Sequence, residues 1–217
     1  MRLPDTAHTS RPWRIHEVAP DFRVEDVWAL PTPGGPDDFH RLVRLGASDD
    51  PRELNAQGKY VGDGSRGIAS RLSRALFELR WKLGELLGWD DRDSGVGRRV
   101  GTLRDRLPAD LRDAARGPYL ASVPMTSLYL TEDEWAAEMA NRTVHSVMHI
   151  GWVPDGTGGY RGQMAVLVKP NGRLGAAYMA AIKPFRQLIV YPALMRSIER
   201  DWRAGTADPT TAYASAG

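Results

Sequence analysis

Two segments rich in valine, methionine and aromatic residues, separated by a short glycine-rich turn, constrain the fold most. Thr143 to Val153 (TVHSVMHIGWV) and Tyr160 to Lys169 (YRGQMAVLVK) have the composition of β-strands. Pro154 to Gly159 (PDGTGG), between them, has the composition of a hairpin loop. The sequence therefore predicts an antiparallel hairpin and, with it, an antiparallel sheet.

Two further strands are predicted before this hairpin. Ser127 to Leu130 is short and apolar enough to be a strand. Glu132 to Ala140 (EDEWAAEMA) is ambiguous: Thr131 with Glu134 has the spacing of a helical capping box, but the residues also alternate as in a strand. We predict a strand that is joined to the next one through Asn141-Arg142.

A long apolar helix is predicted to close the domain, from Leu174 to about Trp202. Pro184 and Pro192 interrupt it, which predicts either a kinked helix or two abutting ones. Residues 204–217 (AGTADPTTAYASAG) are predicted to form a disordered tail.

The N-terminal half is predicted to be mixed. Trp13 to Val18 alternates as an opening strand, Asp21 to Leu30 has the spacing of a short helix, and Asp37 to Leu45 fits a second helix. Residues 46–67 are polar and glycine-rich and are predicted to be a flexible loop or insertion, followed by an amphipathic helix over Ile68 to Leu87. The pattern over 103–112 is mixed and is left open.

Composition restricts the class of protein. Of the 217 residues 42% are hydrophobic and the net charge is only +2, which favours one large folded domain over a nucleic-acid-binding protein. The chain has no cysteine, which excludes disulfides, thiol catalysis and thiolate metal sites. The first residues lack the apolar stretch of a secretory signal, and no segment is long and apolar enough for membrane insertion. We expect a cytoplasmic protein.

Two motifs have the spacing of a cofactor site or a metal site, but their sequence context argues against both. Gly62 to Gly67 matches G-x-G-x-x-G, but the segment before it is too polar for a buried parallel strand, so no dinucleotide site is expected. His145 and His149 form H-x-x-x-H, but in a strand four residues span about 13 Å, too far to share one ion. We therefore predict neither a cofactor nor a metal site.

A run of motifs in the C-terminal half resembles one protein family. The motifs are Glu134-Trp135, Asn141 to His145, Met148 to Val153, Lys169 to Gly172, Leu174-Gly175, Pro184 to Arg186 and Leu188 to Pro192. They resemble the family catalogued as domain of unknown function 2867, over roughly Trp13 to Arg203 and most specifically from Thr126 onward. A similar C-terminal pattern follows a nucleotide-binding reductase domain in some fusion proteins, so an interaction partner of a reductase is a further interpretation.

The resemblance implies the START-like (SRPBCC) helix-grip superfamily, which includes lipid carriers and polyketide aromatase/cyclases. It implies an α+β fold in which a curved antiparallel sheet wraps around a long C-terminal helix. The domain would cover 13–203, preceded by an N-terminal arm over 1–12. A small hydrophobic or amphipathic molecule would bind between the sheet and the helix, with the protein as carrier or sensor. The alternative is a cyclase- or aromatase-type enzyme in the same cavity.

Candidate site residues follow from this fold. His145 and His149 share one face of their strand, while Met148 and Trp152 lie on the opposite, more apolar face, which we favour as the cavity lining. For catalysis the candidates are His145, His149 and Glu134, as proton donors or acceptors. For ligand binding the candidates are Tyr129, Trp135, Met148, Trp152, Met164, Tyr178 and Arg186. Whether the protein forms a homodimer is left open.

Overall fold

The computed structural model describes residues 1–46, 96–97, 100–118, 125–141 and 143–206. Six strands are present: β1 (Arg2–Leu3), β2 (Arg23–Ala29), β3 (Thr126–Leu130), β4 (Glu134–Ala140), β5 (Val144–Pro154) and β6 (Tyr160–Pro170). The helices are α1 (Thr6–Thr9), α2 (Ile15–Val18), α3 (Phe39–Gly46), a 3-10 turn (Leu103–Arg106), α4 (Ala109–Asp113), α5 (Gly172–Phe185) and α6 (Tyr191–Thr206), with a π-helical segment (Arg186–Val190) between the last two.

The strands form one antiparallel sheet in the order β1-β2-β6-β5-β4-β3. Its centre is the predicted hairpin, in which β5 and β6 pair along their whole lengths from Val144↔Pro170 to Pro154↔Tyr160. Gly156 and Gly158 in the connecting turn have positive φ, which glycine adopts without strain. Thr131 Oγ1 accepts from the backbone N–H of Glu134, but in a turn that starts β4. The predictions of β3 to β6, and of an α+β fold, are confirmed.

Two predictions in the N-terminal half are wrong. Trp13 to Val18 is not a strand: residues 15–18 form α2, because Ile15 and Val18 bury one face of a single helical turn. Asp21 to Leu30 is not a helix: β2 occupies 23–29 and pairs with both β1 and β6. A bulge between Val24 and Asp26 disturbs the alternation of this strand, and the resulting apolar spacing resembles that of a helix.

The remaining local predictions divide into three groups. The helix expected to begin near Asp37 is confirmed as α3, and residues 103–112, left open, contain the 3-10 turn and most of α4. The predicted loop over 46–67, its G-x-G-x-x-G motif and the helix over 68–87 lie outside the described residues, apart from Gly46, which ends α3. In the predicted tail, α6 continues to Thr206, and residues 207–217 are outside the described part.

The closing helix is continuous from Gly172 to Thr206, but its middle segment has π-helical (i→i+5) hydrogen bonds instead of α-helical ones. The five π-helical residues lie between Pro184, which is inside α5, and Pro192, near the start of α6. Proline lacks the N–H that an α-helix would donate to the preceding turn, so the interruption falls between the two prolines. Within the described residues no helix is long and apolar enough to span a bilayer.

Helical segments cover both faces of the sheet. One face, called here the N-terminal face, packs against residues 13–22 and 103–111 through a buried cluster that includes Trp13, Ile15, Leu103 and Val147. The opposite face, the C-terminal face, packs against α3 and α6. Because residues alternate along β5, His145 and His149 lie on the N-terminal face, and Ile150 and Trp152 on the C-terminal face.

Candidate functional site

An open cleft of about 700 Å³ lies at the end of the sheet where β5 runs into β6. Trp13, Trp152 and Tyr160 supply aromatic walls, and prolines at 12, 36 and 154 supply further apolar surface. Trp152 is held in place because its indole N–H donates to the Gly35 carbonyl oxygen at 2.9 Å. The cleft is therefore an aromatic-walled space that a small molecule could enter from solvent.

The polar lining of the cleft is predominantly acidic. Asp37, Glu132 and Asp133 contribute three carboxylates, against the cationic Arg11 and the imidazole of His40. Within the described residues neither Asp37 nor Glu132 forms an ion pair. This charge distribution favours neutral or cationic groups over anions.

Behind the wall formed by Trp13 lies a buried hydrogen-bonded series, the Glu134–His149–His8 array. His149 Nε2 is 2.8 Å from Glu134 Oε2, and His149 Nδ1 is 3.1 Å from His8 Nε2. The second carboxylate oxygen of Glu134 accepts from the backbone N–H of Arg14 at 2.9 Å. Glu134 is 2% exposed and both imidazoles are fully buried. Three ionisable groups from β4, β5 and α1 thus share one buried, connected network.

Burial controls the charge of this array. Desolvation raises the pKa of Glu134 to about 7, so its carboxyl exchanges a proton near neutrality. Desolvation, with a smaller effect of the nearby His16, lowers the pKa of His149 to about 3. Desolvation, with smaller effects of His149 and His16, lowers the pKa of His8 to about 2. Both imidazoles are therefore neutral at physiological pH, and the single titrating group of the array is the carboxyl.

A second carboxylate–imidazole pair, Glu138 and His145, lies four residues away along the same two strands. Glu138 Oε2 is 2.8 Å from His145 Nε2 and also accepts from the backbone N–H of Leu103 at 3.1 Å, while its other oxygen accepts from the Thr102 hydroxyl. The Phe22 ring meets the His145 ring edge-on at 5.0 Å. This pair fastens the 3-10 turn to the sheet and has no contact with the cleft lining.

The predicted ligand-binding residues are distributed over both faces. Trp152 lines the cleft, whereas Tyr129 is buried on the N-terminal face and Trp135 donates its indole N–H to Ser127 Oγ. Met148 and Met164 pack in the C-terminal-face cluster. The side chain of Tyr178 is outside the described part.

Arg186, another predicted ligand-binding residue, instead meets Glu25 and Asp26 at 3.2 and 2.8 Å. The space between the sheet and α6 is occupied by large side chains: Trp28, Phe39, Trp152, Met164, Tyr191, Met195 and Trp202. The structure thus brings Glu134 and His149 together and leaves His145 in a separate pair with Glu138.

Sequence reasoning missed His8, His16 and Trp13. The His8 ring is 4.9 Å from those of both His16 and His149, and the Trp13 ring is 5.1 Å from that of His149. His8 and His149 are 141 positions apart, so no local spacing connects them. A group of three or more His, Cys, Asp or Glu side chains suited to a metal ion is not found in the described part of the chain.

The family described as "Protein of unknown function (DUF2867)" matches residues 18–193. The chain belongs to the DUF2867 family. The DUF2867 match covers β2 to β6 and the closing helix through the start of α6, including Glu134 and His149, whereas His8 and Trp13 precede it. No curated protein and no solved structure matches the chain.

The raised pKa of Glu134 predicts a pH-dependent effect of Glu134→Gln on stability. The native carboxyl binds its proton more tightly than the unfolded one, so it stabilises the fold below the unfolded pKa and loses this contribution as pH rises through about 7. Glutamine has no such loss. From pH 5 to pH 8 the variant should gain about 2 to 3 kcal/mol in unfolding free energy relative to wild type. Urea denaturation at both pH values measures this; a difference that does not change with pH would contradict it.

Proposed function

We propose that the protein binds a small amphipathic molecule in the cleft at the end of the sheet, as a carrier or sensor. The observation that carries this proposal is the cleft itself, about 700 Å³ in volume and walled by Trp13, Trp152 and Tyr160. This volume is within the range of small-molecule sites, about 300 to 1,000 Å³, and aromatic walls with a few polar groups are typical of them. The acidic rim favours ligands with a neutral or cationic polar group.

The proposal includes a START-like helix-grip relationship. In support, the first long strand, β2, pairs with the last one, β6, and β3 to β6 follow one another as a meander. The closing helix packs against the C-terminal face of this sheet. We assign the ligand to the cleft and not to the space beneath the helix, because aromatic side chains fill that space.

A second candidate function is an acid–base enzyme of the cyclase or aromatase type. The observation that favours it is the Glu134–His149–His8 array, whose carboxyl titrates near neutrality next to the Trp13 wall of the cleft. Turnover of an aromatic polyketide mimic, lost in His149→Gln, would distinguish the enzyme from a carrier, which binds the mimic unchanged.

The binding proposal is tested by blocking the cleft. His40 is exposed and lines the cleft, so His40→Trp should fill part of it, whereas Arg196→Trp places the same ring on an exposed position of α6 that is not part of the lining. We expect 2-methoxynaphthalene to shift the indole N–H signals of Trp13 and Trp152 in ¹H–¹⁵N spectra. His40→Trp should weaken its affinity at least about tenfold, a loss of about 1.4 kcal/mol.

The control variant should retain wild-type affinity. If neither 2-methoxynaphthalene nor 2-naphthol shifts either indole signal, the cleft is not a binding site for small amphipathic aromatics. If both tryptophan variants bind equally well, the ligand is bound elsewhere. Cytoplasmic location, a homodimer and a reductase partner stay predictions of the sequence.

A further inference from the structure

Several buried polar atoms around the Glu134–His149–His8 array have no hydrogen-bond partner among the described residues. They are His8 Nδ1, His16 Nε2, Trp13 Nε1 and the Tyr129 hydroxyl. Buried polar atoms in folded proteins nearly always have a partner, whether protein, water or ligand. The His8 ring contacts the His16 ring, and both His8 and His149 contact the Trp13 ring. Three of these four atoms, on His8, His16 and Trp13, belong to one set of touching rings, and together they can hold a polar group.

The hydrogen bonds of the array determine what His8 Nδ1 can accept or donate. When Glu134 is ionised, His149 donates through Nε2, so its Nδ1 carries a lone pair and accepts from His8 Nε2–H. A neutral His8 with its proton on Nε2 has a lone pair on Nδ1. The occupant must then donate a hydrogen bond to His8 Nδ1.

We propose that His8 Nδ1 is the hydroxyl-binding subsite of the cleft ligand, with His149 and Glu134 as positioning residues behind it. This inference rests on the proposed binding function. The ligand class is an alcohol or phenol, because the O–H group donates to His8 Nδ1 while its oxygen accepts from Trp13 Nε1–H or a neighbouring donor. A carboxylate has no proton to donate and also meets the acidic rim of the cleft.

Trp13 connects the subsite to the cleft. Its ring lines the cleft on one side and packs on the His149 ring at 5.1 Å and the His8 ring at 6.3 Å on the other. A Cβ atom at Gly151 would lie 2.5 Å from Trp13 Cη2, so a glycine is required for the indole to lie this close to β5. His8 is not part of the cleft lining, so the inference requires the Trp13 ring to move when the ligand binds.

The array can also relay the hydroxyl proton to Glu134, so that the negative charge moves from the carboxylate to the ligand oxygen. The O–H proton moves to His8 Nδ1, the His8 Nε2 proton moves to His149 Nδ1, and the His149 Nε2 proton moves to Glu134 Oε2. The ligand is left as an alkoxide or phenoxide, and the array is left neutral with both histidines in the opposite tautomer. No further reactant is needed for this transfer.

Protonation of Glu134 reverses the hydrogen bonds of the array. The protonated carboxyl donates to His149 Nε2, His149 Nδ1–H donates to His8 Nε2, and His8 Nδ1 carries a proton. The subsite then prefers a hydrogen-bond acceptor, which a hydroxyl and its methyl ether both provide. The other charged or titratable groups that interact with Glu134 are Arg14, His16, Tyr129 and Asp133, and Glu17 interacts with Tyr129.

The test compares 2-naphthol with its methyl ether, 2-methoxynaphthalene, by calorimetric titration of the full chain. At pH 8 we expect 2-naphthol to bind at least about tenfold more tightly, and at pH 5 we expect a ratio near one. Glu134→Gln should remove the pH dependence of the ratio, because glutamine does not titrate. His16→Asn should preserve that dependence, which assigns it to Glu134.

Three outcomes decide the inference. Equal affinities at pH 8, with both compounds bound, would mean that water occupies the subsite; this overturns the inference but leaves cleft binding intact. Binding of neither compound overturns the proposed function as well. Independently of any variant, ¹⁵N spectra of wild type should show His8 and His149 protonated on Nε2 at pH 8 and on Nδ1 at pH 5. Tautomers that do not change with pH would also overturn it.

Discussion

Replacing Arg186 by methionine is expected to lower the free energy of unfolding by about 3 kcal/mol or more at neutral pH. Arg186 is only 13% exposed, and its guanidinium lies 3.2 Å from Glu25 Oε1 and 2.8 Å from Asp26 Oδ2. Asp26 is fully buried and Glu25 nearly so. Removing one partner of a buried ion pair leaves an uncompensated charge, which costs about 3 to 5 kcal/mol. Urea denaturation of the purified variant measures the loss.

Four neighbouring contacts set the lower end of this range. Gln187 donates to Asp26 at 2.7 Å and the Arg2 guanidinium lies 4.0 Å from it. Arg23 and Lys183 lie 3.4 and 3.7 Å from Glu25, so both carboxylates keep some compensation. Arg186→Lys retains the charge and should lose less, because a single guanidinium nitrogen, Nη2, makes both contacts and one ammonium group can lie near both carboxylates. Adding Asp26→Asn to Arg186→Met should recover part of the loss, because it removes the unpaired charge. A loss below about 1 kcal/mol in Arg186→Met would contradict the buried pair.

This result also bears on how Arg186 was interpreted from sequence. From the sequence, Arg186 beside the Pro184 kink is a candidate for contact with an anionic ligand group, and a solvent-exposed charge is the alternative. The bulge in β2 places two consecutive acidic side chains in the interior opposite the π-helical segment. Nothing in the local sequence of either element indicates the other, since they are 161 positions apart.

The central sheet could be predicted because its determinants are local. The turn composition after Val153 and the β-branched and aromatic residues on both sides indicate a hairpin without reference to the rest of the chain. The segment from Glu132 to Ala140 is ambiguous on local grounds, and tertiary pairing decides it, because β4 bonds to strands on both sides. In contrast, α2 is a single turn, too short to show a periodicity that differs from a strand.

The candidate site could be predicted from the sequence only in part. Alternation along the strands correctly predicts that His145 and His149 share a face, and Glu134 was recognised as a possible partner in proton transfer. Their actual partners come from segments with no recognisable signal: His8 from a four-residue helix and the Leu103 amide from a 3-10 turn. Such contacts are set by packing between distant segments, so a single sequence does not reveal them.

Replacing Glu138 by alanine is expected to destabilise the protein by about 4 kcal/mol and to release residues 103–106 from the sheet. Glu138 is fully buried and is the acceptor for the Leu103 amide at 3.1 Å and for the Thr102 hydroxyl, and it pairs with His145 at 2.8 Å. Alanine leaves these buried polar groups without their partner, at about 1 to 3 kcal/mol for each. Urea denaturation measures the global loss, and hydrogen exchange at the Leu103 and Arg104 amides measures the local release.

Glu138→Gln is the matched control, because it keeps the size of the side chain and one strong acceptor oxygen. Glu138 Oε2 contacts both the Leu103 amide and His145 Nε2, so an amide oxygen in that position can accept from both, and the NH₂ in the other position can donate to the Thr102 hydroxyl oxygen. We therefore expect a loss of about 1 to 2 kcal/mol, with exchange at Leu103 close to that of wild type. Equal losses in the two variants would mean that the cavity left by alanine, and not the missing acceptor, is responsible. Unchanged exchange at Leu103 in Glu138→Ala would show that the turn is held by its leucine packing against Val147 and Leu128, so that Glu138 is dispensable for anchoring it.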